Sequence, residues 1–310
     1  MRQLPGAQVD AELRRLFARR IFRGALLIAA FIVALSVGIA TGKGHPGSQL
    51  SLDPNTGRVI DPTTGRVIDN RPAGEYPTQI SGFDGQGRVL IGAAETRIDV
   101  GKSLESALEG TGVALLFAGF AIGASFVGAE FNVGSLTTQL LFEPRRWRVH
   151  TAKALAVAIG VAGFAFFVLM LVAISMYVGS QLHGIVRGVD GTFVAHRMAQ
   201  ALRIAPAVGI GAMLTYGVTL VAKRSSAAMI LFFLQFPLIG LLNPTKMPFG
   251  LISHYAPLRG LLAVVTNPTT AARVQDRAVH TTAGGVALTA VWVIVVIGGS
   301  GIAFARAEVR

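Results

Sequence analysis

The chain contains no cysteine. Disulfides, thiolate nucleophiles and cysteine-ligated metal sites are therefore excluded. Charge is scarce as well: Asp, Glu, Lys and Arg make up 14% of 310 residues, where a soluble globular domain carries about a quarter. The six histidines, at 45, 150, 183, 196, 254 and 280, stand singly. None has the H-x-x-x-H or His–carboxylate spacing that would hold a metal. There is no G-x-S-x-G nucleophile elbow. "VGKS" at 100–103 comes nearest to a phosphate-binding loop, but that motif needs glycine at 96, where the chain has Thr96. The expectation is a protein that is not itself an enzyme and binds no cofactor.

What the chain has in abundance is apolar sequence. Hydrophobic residues are 52% of the total and the mean hydropathy is +0.58. They fall in blocks, and six blocks are long enough to cross a hydrocarbon core of about 30 Å as helices. These are 24–42, 112–129, 154–179, 199–222, 225–243 and 285–305. The expected fold is an all-α polytopic membrane protein with six transmembrane helices. The first block has 19 residues, longer than the apolar core of a signal peptide, so an uncleaved first span is expected despite the small residues of "SVGIATG".

The formal charge of +12 is distributed as a topology signal rather than as a nucleic-acid footprint. With the N-terminus inside, the pieces 1–23, 130–153, 223–224 and 306–310 hold fourteen Lys and Arg in 54 residues. The outside pieces 43–111, 181–197 and 244–284 hold thirteen in 127. Short loops rich in Lys and Arg stay inside, which places both termini in the cytoplasm of a multi-pass cell-membrane protein.

The spans themselves carry almost no ionisable residues. Glu130, Lys153 and Arg203 sit at or near span ends, where acids can stay wet and long cations can snorkel. A proton- or sodium-coupled carrier keeps such groups within its spans, so the energy for any transport is expected from outside this chain.

Four segments lie between or before the spans. In "DAELRRLFARRIFR" (10–23), Leu13, Leu16, Phe17 and Ile21 share one helical face while Arg14, Arg15, Arg19 and Arg23 lie mostly opposite. That pattern predicts an amphipathic helix at the cytoplasmic interface, with Arg20 snorkelling from the apolar stripe. The external insertion 43–111 contains a tandem repeat, "DPNTGRVI" (53–60) and "DPTTGRVI" (61–68). Each unit pairs turn residues with a short β-prone triplet, consistent with two small hairpin arms, a ladder of turns or a loosely ordered insertion. Before the last span, 247–252 and 256–265 are too short to cross and are opened by Pro248 and Pro257. They read as re-entrant or interfacial helices, with His254, Tyr255 and Arg259 near the outer mouth.

The fourth segment is the most patterned. In 130–153, Val133, Leu136 and Leu140 follow helical spacing, Gly134-Ser135 marks a helix start, and Pro144 ends it. "RRWRVHTAK" then leads into the third span. Read from the residues alone, this is either a lever or a plain cytoplasmic loop.

"GAEFNVGSLTTQLLFEPRRWRVHTAKALA" resembles the segment between spans two and three of type-2 ABC exporter permeases. The matching residues are Gly128-Ala129-Glu130, Gly134-Ser135-Leu136, Pro144-Arg145-Arg146 and Lys153. The six-span layout, the N-terminal amphipathic helix and "HYAPLRGLLAVV" are similar too, and the likeness covers most of the chain. The long repeat-bearing insertion departs from the pattern. The resemblance implies a permease dimer, each subunit docking a separate ATP-binding subunit that holds ATP and Mg. Residues 131–143 would be the coupling helix, with Glu130, Val133, Leu136, Leu140, Arg145 and Arg146 transmitting motion. The alternatives are a secondary transporter or channel, and a membrane assembly factor without transport.

Overall fold

The computed structural model describes residues 5–18, 20–40, 49–52, 59–60, 67–69, 79–83, 89–92, 100–134, 139, 145–183, 189–241, 255–266 and 281–306. It divides into two compact units. One is a helical body of Met1–Ser36, Leu104–Ile174 and Asp190–Arg310, and the other comprises Val37–Ser103 and Ser175–Val189.

The described helices are α1 (Pro5–Ala18), α2 (Arg20–Ala40), α3 (Val100–Val133), α4 (Arg146–His183), α5 (Gly191–Ala222), α6 (Ser225–Leu241), α7 (Pro257–Thr266) and α8 (Thr282–Arg306). The last contains a π-helical turn at Ile294–Gly298. Among the described residues, four stretches are long and apolar enough to cross a membrane: Ser103–Phe131, Arg146–Leu182, Gly191–Ala222 and Thr282–Arg306. The other two expected spans fall on α2 and on α6, which has 17 residues. α3 and α4 continue beyond the expected spans 112–129 and 154–179 into polar sequence at their ends.

The N-terminal segment is helical over Pro5–Ala18. Arg19 lies outside the described residues, between α1 and α2. Leu16 is fully buried and, with Leu13, packs at Gly160 of α4, while Phe17 stays half exposed. Leu16 is thus covered by protein while Phe17 is not.

The centre of the helical body is α5. Its neighbours approach through small residues: Gly119 and Gly123 of α3 lie against the Val208 and Ala212 carbonyls, and Gly209 of α5 lies against the Ala158 carbonyl of α4. The pairings Gly112–Ile204, Gly119–Val208 and Gly123–Ala212 advance together, so α3 and α5 run parallel. The pairings His150–Tyr216 and Ala158–Gly209 run oppositely, so α4 is antiparallel to α5. Gly128–Ser225 and the ring contact Phe120–Phe232 make α6 antiparallel to α3. Consecutive long helices therefore alternate in direction. Packing by small residues is expected where lipid removes the hydrophobic drive between helices.

The N-terminus of α5 is closed by Asp190, whose carboxylate accepts from the Phe193 N–H and the Thr192 hydroxyl. Those donors hold its pKa below the ordinary value. α7 begins at Pro257, as the sequence predicts, and stacks on α8 through Gly260 and Gly285.

The second unit carries strands, in the insertion whose repeats have β-prone triplets. It holds a five-stranded antiparallel sheet of β1 (Gln49–Leu52), β2 (Val59–Ile60), β3 (Val67–Asp69), β4 (Gln79–Phe83) and β5 (Val89–Gly92), in the order β3-β2-β1-β5-β4. The two repeats contribute corresponding strands: Val59-Ile60 closes the first and Val67 opens the strand at the end of the second, with Ile60 opposite Val67. The Asp-Pro-x-Thr-Gly portions lie outside the described residues.

A Cβ at Gly123 would collide with the Ala212 carbonyl and the Thr215 hydroxyl, whereas a Cβ at Gly110 meets nothing. Gly123→Ala should lower the thermal midpoint in detergent, by about 1–3 kcal/mol of stability. Gly110→Ala should leave it unchanged or raise it slightly, as a helix-favouring change.

Candidate functional site

The densest polar arrangement among the described residues lies where α1, the end of α3 and the start of α4 meet. α3 ends because Gly134 adopts φ +69°, a left-handed conformation that glycine takes without strain. Phe131–Val133 therefore belong to α3 rather than to a separate coupling helix, and Val133 is 80% exposed on its final turn. α4 starts at Arg146, with the Arg145 carbonyl accepting from the Arg148 and Val149 N–H groups. Leu136, Leu140 and Pro144 lie outside the described residues, where only Gln139 has a described side chain.

Lys153, two turns into α4, is 1% exposed. Its ammonium donates to both Glu130 oxygens at 2.9 Å and to Glu12 Oε2 at 3.2 Å. Glu130 is 4% exposed and Glu12 3%. Glu12 Oε1 accepts further bonds from Gln139 Nε2 at 2.8 Å and Arg15 Nη1 at 3.1 Å. The Phe126 ring lies 5.5 Å from the ammonium. Two carboxylates face one buried lysine, and the half-exposed Arg15 supplies the fourth charge, so the group is neutral overall. Neutrality and full hydrogen bonding are what make burial of such charges tolerable.

This overturns the expectation that Glu130 and Lys153 remain wet or snorkel at span ends. They face each other, and the acid that completes them comes from α1. Sequence reading missed Glu12, although a signal was present: Glu12 lies four residues before Leu16, on the face that packs inward. Gln139 carried no comparable signal.

Next to this cluster, α4 is fastened to the end of α8. Arg146 donates to the Phe304 carbonyl, at 3.4 Å. A methyl at Gly301 would overlap the Trp147 ring, so only glycine permits that contact. His150 is fully buried, with Nδ1 3.2 Å from the Tyr216 hydroxyl and Nε2 3.1 Å from the Ile297 carbonyl. A carbonyl only accepts, so Nε2 carries the proton in this geometry and, in the neutral ring, Nδ1 accepts from Tyr216. The Ile297 carbonyl lies in the π-helical turn, where widening the helix redirects carbonyls outward. Ser300 donates to the same oxygen at 3.2 Å.

The remaining predicted residues lie elsewhere. Arg145 is exposed at the start of α4. Tyr255 is half exposed and its carbonyl accepts from Trp292 Nε1 at 2.8 Å, while Arg259 lies within α7. His254 is outside the described residues. The structure thus brings Glu130, Lys153 and Arg146 to one end of the helical body, and Tyr255 and Arg259 are not part of that group.

Against protein-family models, curated proteins and solved structures, the chain gives no match.

Removing Lys153 alone would leave two carboxylates facing each other without compensation. Lys153→Met should cost about 3–5 kcal/mol of stability, read as a lowered unfolding midpoint in mild detergent. Adding Glu12→Gln and Glu130→Gln to that variant should recover most of the loss. A triple variant no better than the single one would contradict mutual compensation.

Proposed function

We propose that the chain is the membrane-spanning permease subunit of an ATP-driven ABC transporter. It would export an apolar or amphipathic substrate, powered by a separate ATP-binding subunit that seats the 131–143 segment. The carrying observation is the buried Glu12–Lys153–Glu130 cluster with Gln139 bonded to it. It joins the N-terminal helix, the proposed coupling segment and the ends of two long helices through one ammonium. A push on the segment would reach α1, α3 and α4 together, because breaking any link exposes a buried charge to a partner-free site.

The resemblance in 128–153 supports the same reading, and so does the alternation of long helices. On this reading there are six spans, α2 and α6 among them, and both termini lie in the cytoplasm of the cell membrane. Two permease subunits, identical or related, would form the working dimer. Hydrolysis chemistry belongs to the partner, which supplies ATP and Mg. The buried carboxylates also fit a second reading, a proton-coupled carrier, since intramembrane acids serve as relays in such proteins. Their complete pairing with Lys153, Gln139 and Arg15 favours a structural joint over a titrating relay.

Co-reconstitution with the co-purifying ATP-binding subunit separates the readings. Transport should require ATP and be indifferent to a proton gradient. Leu136→Asp should retain ATP hydrolysis while lowering transport at least tenfold. Transport driven by a proton gradient without ATP would instead establish the carrier.

A further inference from the structure

The other end of the helical body holds a second group of charges with a different character. Glu105 and Glu109 lie one turn apart on α3, and Arg197, Gln200 and Arg203 lie on α5. These helices run parallel, with Gly112 against Ile204, so the two sets sit at the same level. After Glu109 the sequence carries no charge until Glu130, a run of 20 residues. After Arg203 it carries none until Lys223, a run of 19. At 1.5 Å per residue each run covers about 30 Å, the thickness of a hydrocarbon core. Glu109 and Arg203 are therefore the last charges before the apolar layer, at the depth of lipid headgroups.

A cavity of about 290 Å³ opens there, lined by Glu105, His196, Arg197, Ala199, Gln200 and Arg203. Part of its lining is already satisfied. Arg197 donates to Glu105 at 2.9 Å and to Gln200 at 2.7 Å, and Gln200 donates to the Glu105 carbonyl at 3.1 Å. That network fixes the wall. Arg203 and Glu109 are not satisfied in the same way. Among the described residues, Arg203 makes one long bond, 3.4 Å, to the Val265 carbonyl, and its Nε has no partner. Glu109 Oε1 is buried without a partner, although its charge lies within electrostatic reach of Arg203. Arg203, in the cavity lining, and Glu109, one turn along α3 from the lining residue Glu105, are thus held near each other but unpaired among the described residues. Pro206 adds a further acceptor, since it cannot supply the helical N–H to the Leu202 carbonyl.

We propose that this cavity binds the headgroup of a zwitterionic amphiphile bearing a phosphate and a primary amine. Arg203 takes the phosphate, with Arg197 beside it. Glu109 takes the ammonium, with Glu105 one turn away, and the acyl chains extend into the apolar layer that begins beyond Glu109 and Arg203. Guanidinium groups match phosphate oxygens in charge and geometry, and a carboxylate completes the recognition that a purely anionic lipid would lack. The proposal does not rest on the permease reading: it requires only that these helices lie in a bilayer.

The test uses the full chain purified in mild detergent, stripped of endogenous lipid and examined by native mass spectrometry. The probes are dioleoylphosphatidylethanolamine, dioleoylphosphatidylglycerol and dioleoylphosphatidylcholine, with soluble glycerophosphoethanolamine as the headgroup alone. The expected result is retention of one phosphatidylethanolamine at least tenfold over phosphatidylglycerol, and weaker retention of phosphatidylcholine, whose methylated amine donates no hydrogen bond. Arg203→Met should abolish this retention. Glu109→Gln should remove the preference for the amine while leaving the fold intact, which keeps the proposal testable if the arginine variant does not fold. Equal retention of phosphatidylglycerol, no effect of Glu109→Gln, or binding of glycerophosphoethanolamine as tight as that of the lipid would each overturn it.

Discussion

One ammonium group organises the end of the helical body where function is proposed. Lys153 lies between Glu130 and Glu12 with almost no solvent access, and at effective interior dielectrics such charges interact far more strongly than in water. None of the three tolerates the loss of its partner. The amphipathic helix, the end of α3 and the start of α4 are consequently held in one register. Had Glu12 been apolar, α1 would still pack through Leu16 on α4, but it would lose its bonds to Gln139 and to Lys153, the lysine that also holds Glu130 of α3. The cluster turns a helix that merely rests on its neighbours into one that is locked to them.

That joint matters because the helices behind it are closely packed and stiff. Glycines at 119, 123 and 209 let backbones meet around α5 without intervening side chains. Interiors packed in this way pass on a displacement instead of absorbing it. On the His150 side, the π-helical turn of α8 offers its Ile297 carbonyl to α4, with Tyr216 of α5 closing the triangle. Motion of the start of α4 would thus be felt by α1, α3, α5 and α8 at once. The polar groups at this end are almost wholly engaged, whereas at the opposite end Arg203 and Glu109 are not.

Much of the architecture was legible in the sequence for simple reasons. Apolar runs of membrane length located the long helices, and Pro257 correctly opened α7. The Val-Ile endings of the two repeats became paired strands, although nothing local indicated that they would join β1 and a second hairpin in one sheet. Helix ends were less legible. Gly134 ends α3 by its positive φ, while the short helix whose start Gly134-Ser135 marks falls on residues of which only Gln139 is described; a glycine punctuates a helix on either side, and only the backbone angle decides. The site was half visible. Glu130 and Lys153 were noticed as charges at span ends, yet their burial depended on Glu12, more than a hundred residues away, and no local pattern reveals such a partner. His150 looked isolated for the same reason: Tyr216 and Ile297 reach it only through the fold.

The central claim is that the segment between α3 and α4 seats a separate ATP-binding subunit. Site-specific photo-crosslinking in native membranes tests it most directly, with the probe at Leu140 and a control probe at Phe31, which is exposed on α2. The account predicts a single crosslinked species from Leu140 containing an ATP-binding subunit, and none from Phe31. Crosslinks from Leu140 to lipid alone, with no ATP-binding subunit captured, would contradict it.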